Sequence, residues 1–119
     1  MTDAAPILLF VGDGPVLSSL EFALALEGFT VADGTAEDVD PFAAGCLVVD
    51  QGYLGNGIAF LAALRHFGCT TPGLVLVTNP TAALRGLAAA VGAVLIEKPL
   101  LGGELTLALR GALGRRETA

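Results

Sequence analysis

The sequence predicts an α/β domain built on a parallel sheet, and three observations lead there. Short, β-rich apolar runs alternate with segments of helical period, the pattern of repeated strand–helix units. Hydrophobic residues make up 54% of the chain and mean hydropathy is +0.74, which suits a sheet covered on both faces better than one wet on one side. Four of the runs also lead into a residue that can do chemistry: Asp13 after LLFVG, Asp50 after CLVV, Thr78 after LVLV and Lys98 after VLIE. Open α/β sheets bind ligands outside the carboxyl ends of their strands, so these side chains would share one edge.

The first strand is expected over 7–11. The helix after it opens near Pro15, whose fixed φ suits a first helical turn. It carries Val16, Leu20, Ala23 and Leu24 on one face and stops at Gly28. A short second strand follows at about 29–32. Over 34–45 Pro41 interrupts any helical pattern, so irregular turns are expected there. The third strand is 46–49, with a loop at 51–56 and a helix from about Gly57 that turns Phe60, Leu61, Leu64 and Phe67 inward. The fourth strand is 74–77, and the helix over about 81–91 puts Leu84, Leu87, Ala88 and Val91 on one face with little charge on the other. After a fifth strand at 94–96, the last helix, about 101–113, buries Leu101, Leu105, Ala108, Leu109 and Ala112 and leaves Leu107 on the opposite side. An off-stripe leucine beside a nearly uncharged helix hints at a partner surface. No repeat, low-complexity tract or clear linker is expected, the polar tail at 114–119 being the one candidate linker.

At 119 residues the chain is expected to be one domain with one core and no output domain. Six basic against twelve acidic residues give a net charge of −6, and no basic cluster is longer than Arg115-Arg116. Such a surface repels a phosphate backbone, so direct nucleic-acid binding is disfavoured and protein or small-molecule partners are expected. Cys46 and Cys69 lack metal-type spacing and border apolar strands, which reads as buried free thiols in a reducing compartment. The N-terminal MTDAAP has no basic region, and the run at 7–11 is far below membrane-spanning length, so a cytoplasmic location without membrane attachment is expected. His66 has no Ser/Asp or metal-binding companions and reads as a packing or surface residue.

Taken together, VGD at 11–13, VVD at 48–50, VLVT at 75–78 and GAVLIEKP at 92–99 resemble the receiver domain of bacterial two-component response regulators, over nearly the whole chain. The resemblance implies a flavodoxin-like, doubly wound five-stranded parallel sheet in the order 2-1-3-4-5 with five helices. It implies a regulatory protein rather than an enzyme: a sensor histidine kinase or phosphotransfer protein phosphorylates Asp50, and a downstream effector reads the result. By position Asp13 and Asp50 become Mg²⁺ ligands together with the backbone carbonyl of Gly52. Thr78 becomes the switch hydroxyl, and Lys98 the cation beside the phosphoryl group. The residue types suit the chemistry. Carboxylates are the hard oxygen ligands that Mg²⁺ prefers, and an ammonium beside a divalent ion neutralises the equatorial oxygens during transfer. Pro99, where the family often has a cis bond, would aim Lys98 into the site. The output face would be the helix at 81–91, the fifth strand and the last helix, which could also pair two copies of the domain.

Departures from the family pattern carry their own expectations. The family has two adjacent acids after strand one, whereas this chain has Gly12-Asp13-Gly14, so a weakened metal site is expected. The loop after Asp50, QGYLGNG, lacks the usual proline, Asn79 stands where a small residue is favoured, and Leu95 replaces the rotating aromatic. These changes favour a second reading, a pseudo-receiver that binds partners without phosphate. Asp13 has a plainer reading too, as the N-cap of the first helix. A third reading, a flavin or nucleotide binder, draws on the glycines at 12 and 14. Leu17 occupies the place of the third glycine, and no Walker-type lysine follows.

Overall fold

Runs such as ILLF, CLVV and GLVLV have no polar position at all, and a strand of that kind is stable only with both faces covered. The structure, a computed structural model, describes residues 5–98 and 103–118. These runs form β1 (Ile7–Phe10), β3 (Cys46–Asp50) and β4 (Gly73–Val77), and all but Asp50 of their residues are buried. They are flanked by β2 (Val31–Asp33) and β5 (Ala93–Glu97) in one parallel sheet of order β2-β1-β3-β4-β5. The helices among the described residues are α1 (Gly14–Leu26), α2 (Gly57–His66), α3 (Ala82–Ala90) and α4 (Glu104–Thr118), with a single 3-10 turn at Tyr53–Gly55. The flavodoxin-like sheet is therefore as expected, with one helix fewer than the family's five.

Alternation along the strands builds two cores. Ile7, Leu9, Cys46, Val48, Leu74 and Leu76 face Leu20 and Leu24 of α1 and Leu105, Leu109 and Ala112 of α4. Leu8, Phe10, Leu47, Val49, Val75 and Val77 face Ile58 and Leu61 of α2 and Ala88 of α3. Each fully buried Leu, Ile or Val contributes about 1.5–3 kcal/mol of transfer free energy. Both cysteines are buried. No helix among the described residues is long and apolar enough to cross a membrane.

The stretch between β2 and β3 holds turns in place of a helix. Asp33 accepts hydrogen bonds from the Thr35 N–H at 2.9 Å and hydroxyl at 2.7 Å, and Asp40 accepts the Phe42 N–H at 2.9 Å. The Pro41 carbonyl accepts the Thr71 hydroxyl at 2.7 Å, which ties the stretch to the start of β4.

Several sequence expectations are corrected. The second strand lies at 31–33 rather than 29–32, and the last helix begins at Glu104. Phe67 is 75% exposed because α2 ends at His66 and the chain turns away before Phe67 can follow the helical phase; Ile58 takes the inward place. Leu87 is 56% exposed, since the sheet ends at β5 and α3 buries only a narrow stripe centred on Ala88. Val16 is likewise exposed, while Leu17 packs partly against the core. Leu105, Leu109 and Ala112 are buried and Leu107 is exposed, as expected. Leu101 and Pro99, with its expected cis bond, lie outside the described residues.

Candidate functional site

Strand order decides which residues can meet. The chain runs from β1 to an edge at β2 and returns to the other side of β1 at β3, so the order reverses between β1 and β3. Asp13 and Asp50 follow or end those two strands, at the crevice where such sheets bind ligands. Asp50 pairs in register with Leu76 and Val77 with Glu97, and the Lys98 N–H continues the ladder to the Val77 carbonyl at 2.7 Å.

Asp50 is the centre of the site, with its side chain 20% exposed. Its Oδ1 lies 2.8 Å from Lys98 Nζ, a charge-assisted hydrogen bond. Its Oδ2 accepts the Gly52 N–H at 2.9 Å. Lys98 starts from β5, two strands away, roughly 10 Å at ordinary strand spacing. Its side chain therefore crosses the end of β4, the strand that Thr78 follows. Thr78 is exposed, and Asn79 beside it holds a left-handed φ of 53°, a conformation Asn tolerates better than most residues.

Asp13 takes the plainer of its two readings: it is the N-cap of α1, its Oδ1 accepting the Val16 N–H at 3.1 Å. Pro15 inside the first turn completes that helix start. The Gly52 carbonyl accepts the Gly55 N–H at 3.0 Å and so closes the 3-10 turn. Among the described residues no group of three or more His, Cys, Asp and Glu is placed to hold a metal ion. Two carboxylates and a carbonyl remain a hard-oxygen donor set. The Asp13 side chain and the Gly52 carbonyl each accept one hydrogen bond and the Asp50 side chain accepts two, while a carboxylate offers about four acceptor sites. That set fits a mostly hydrated Mg²⁺, which commonly uses one or two carboxylates and keeps several waters.

The loop after Asp50 is held by residues that sequence reasoning passed over. Gln51 Oε1 accepts the Ile58 N–H at 2.9 Å, and its Nε2 donates to Asn56 Oδ1 at 3.2 Å. Asn56 caps α2 through the Ala59 N–H at 3.1 Å. A Cβ on Gly57 would lie 2.4 Å from the Asp50 carbonyl oxygen, so only glycine lets the helix start this close to the strand end. An Asn followed by Gly before an apolar period was the legible signal for the cap.

No protein-family model matches the sequence, and no curated protein does. Solved structures do match. A CheY-like response regulator receiver domain protein from Methanospirillum hungatei superposes with a TM-score of 0.82 at 18% identity, over 98% of each chain. Full-length FixJ from B. japonicum gives 0.79 at 26% identity, over 98% of this chain and 61% of that one. The beryllofluoride-activated NtrC4 receiver domain dimer gives 0.74 at 20% identity, over 92% of this chain and 97% of that one. The chain has the receiver fold of response regulators. Within that fold Asp50 and Lys98 form the ion pair at the carboxyl edge of the sheet, and Thr78 follows β4, the strand between them in the sheet. Asp13 belongs to the same edge but points one carboxylate oxygen at the receiver's first helix.

Proposed function

We propose that this receiver accepts a phosphoryl group on Asp50 in two-component signal transduction and presents the result to a partner protein. The observation that carries the reading is the 2.8 Å contact between Lys98 Nζ and Asp50 Oδ1 at the strand-end crevice. The donor would be a phosphohistidine of a sensor kinase or phosphotransfer protein. A carboxylate oxygen of Asp50 forms a bond to phosphorus as the P–N bond breaks, the imidazole keeps the electron pair and takes up a proton, and Asp50 becomes an acyl phosphate. Lys98 stays beside the reacting oxygens and offsets their charge, and the Thr78 hydroxyl is available to donate to the phosphoryl group. Asp13, Asp50 and the Gly52 carbonyl would hold Mg²⁺, which supplies further charge neutralisation when bound.

Leu87, Val94 and Leu107 support a partner surface on α3, β5 and α4: they are 56%, 46% and 72% exposed. An effector protein or a second copy of the chain would cover these apolar side chains. A pseudo-receiver that uses this face without phosphate is the second reading, favoured by the capping role of Asp13 and by the hydrogen bonds on both oxygens of Asp50.

Acetyl phosphate with Mg²⁺, read by intact mass, separates the two. The acceptor reading expects a phosphoryl-sized gain in the wild type that Asp50→Ala abolishes. An unchanged mass under every metal condition would sink it in favour of the pseudo-receiver.

A further inference from the structure

The family's moving aromatic is replaced by Leu95 on β5, yet the structure places an aromatic ring on the opposite side of the acceptor. Tyr53 opens the 3-10 turn three residues after Asp50 and packs edge-on against two phenylalanines. Its ring centroid is 5.6 Å from Phe10 and 5.0 Å from Phe60, and those two rings are 4.8 Å apart. Phe10 is the fixed member: it is 3% exposed, and a Cβ on Gly34 would lie 2.4 Å from its Cε1. Tyr53 and Phe60 are half-buried.

Tyr53 is also tied to the chemistry of Asp50. Gly52, its neighbour, donates its N–H to Asp50 Oδ2 at 2.9 Å, so the loop's first turn is held by that carboxylate oxygen. On the other side of Tyr53, Leu54 adopts a left-handed φ of 52° while 77% exposed. That conformation is costly for leucine, and burial does nothing to offset it, so the turn is poised to rearrange. Beyond it, the bonds of Gln51 to Ile58 and Asn56 join the loop to the first turn of α2.

We propose that Tyr53 is the aromatic that registers the state of Asp50, and that the loop at 51–56 passes the change to α2. When Asp50 gains a phosphoryl group, the oxygen facing Gly52 changes from a carboxylate acceptor to part of a bulkier, more negative acyl phosphate. The Gly52 N–H reorients toward the new oxygens, the strained turn at Leu54 relaxes, and the Tyr53 ring leaves the Phe10–Phe60 edge. The exposed Tyr53 and Leu54 then lie at the head of α2 as a second, phosphate-dependent surface. This device rests on Asp50 being the acceptor.

The chain has one tyrosine and no tryptophan, so tyrosine fluorescence reports Tyr53 alone. Acrylamide quenching is measured on the whole chain before and after acetyl phosphate with Mg²⁺, with intact mass taken on the same samples. The same quenching is measured on Asp50→Ala and Lys98→Ala, and far-UV circular dichroism checks that each variant is folded. Quenching should rise about two-fold in the phosphorylated protein as a half-buried ring becomes exposed. It should also rise in Asp50→Ala, which removes the acceptor of the Gly52 N–H, and stay unchanged in Lys98→Ala, which leaves that bond in place. A mass gain with unchanged quenching overturns the device and leaves the acceptor reading intact. With no mass gain the acceptor reading falls and the device falls with it, a result distinct from failure of the device alone; equal quenching in all three unphosphorylated proteins also overturns the device.

Discussion

The ion pair of Lys98 and Asp50 adds little to stability. Lys98 is 37% exposed and Asp50 20%, so the pair is largely screened by water, and Lys98→Ala should change unfolding free energy by less than about 1 kcal/mol. Its effect belongs to the chemistry: phosphorylation by acetyl phosphate should slow by about ten-fold or more, as expected for loss of a positioned charge at the reacting group. Denaturant unfolding and a mass time course check the two halves of that expectation. Gly57 behaves oppositely. Gly57→Ala places a Cβ against the Asp50 carbonyl oxygen and should cost about 1–3 kcal/mol, read from the shift in denaturation midpoint. Of the site residues, Asp50 and Lys98 were legible because a polar residue ending an apolar run needs only the strand itself to place it. Asp13 was ambiguous, since an acid before Pro15 serves a helix cap and a ligand set equally well. The ring cluster of Tyr53 was not legible, because its contact with Phe10 joins residues far apart in the chain.

At the scale of elements, sidedness was harder to read than existence. All five strands were expected, and their boundaries shifted by one or two residues. The faces of α2 and α3 were mistaken at Phe67 and Leu87, because helical spacing gives the direction of a buried face and leaves its width to the neighbours. The helix ends are held by side chains whose removal can be measured. Asn56→Ala removes the cap of α2 and should cost about 1 kcal/mol. Arg65 binds three carbonyls that join α2 to the ends of neighbouring elements: Nε reaches Val91 at 2.8 Å, and Nη1 reaches Cys69 at 3.0 Å and Thr71 at 2.6 Å. Arg65→Ala leaves those partly buried carbonyls to find water and should cost about 2–4 kcal/mol, the larger of the two effects in thermal or denaturant unfolding.

For the whole molecule, the net charge of −6 and the apolar residues of the α3–β5–α4 side point the same way, toward protein partners. Leu107→Glu should leave the fold intact, because the side chain is exposed, and weaken whichever association uses that face; light scattering over a concentration series reads self-association directly. The parallel sheet was legible from the absence of polar positions in its central strands, and its strand order came from the family resemblance rather than from periodicity. The helix count was the part that resemblance overstated, and the turns of Asp33 and Asp40 supply the local reason.

Trapping the product tests whether Asp50 is the acceptor. Protein treated with acetyl phosphate and Mg²⁺ is reduced with borohydride, which converts an aspartyl phosphate to homoserine, and the digested peptides are sequenced by mass spectrometry. Homoserine is expected at position 50 in the treated wild type and not in protein reduced without the phosphodonor. Aspartate at position 50 in every peptide, or homoserine at another aspartate, would contradict that expectation.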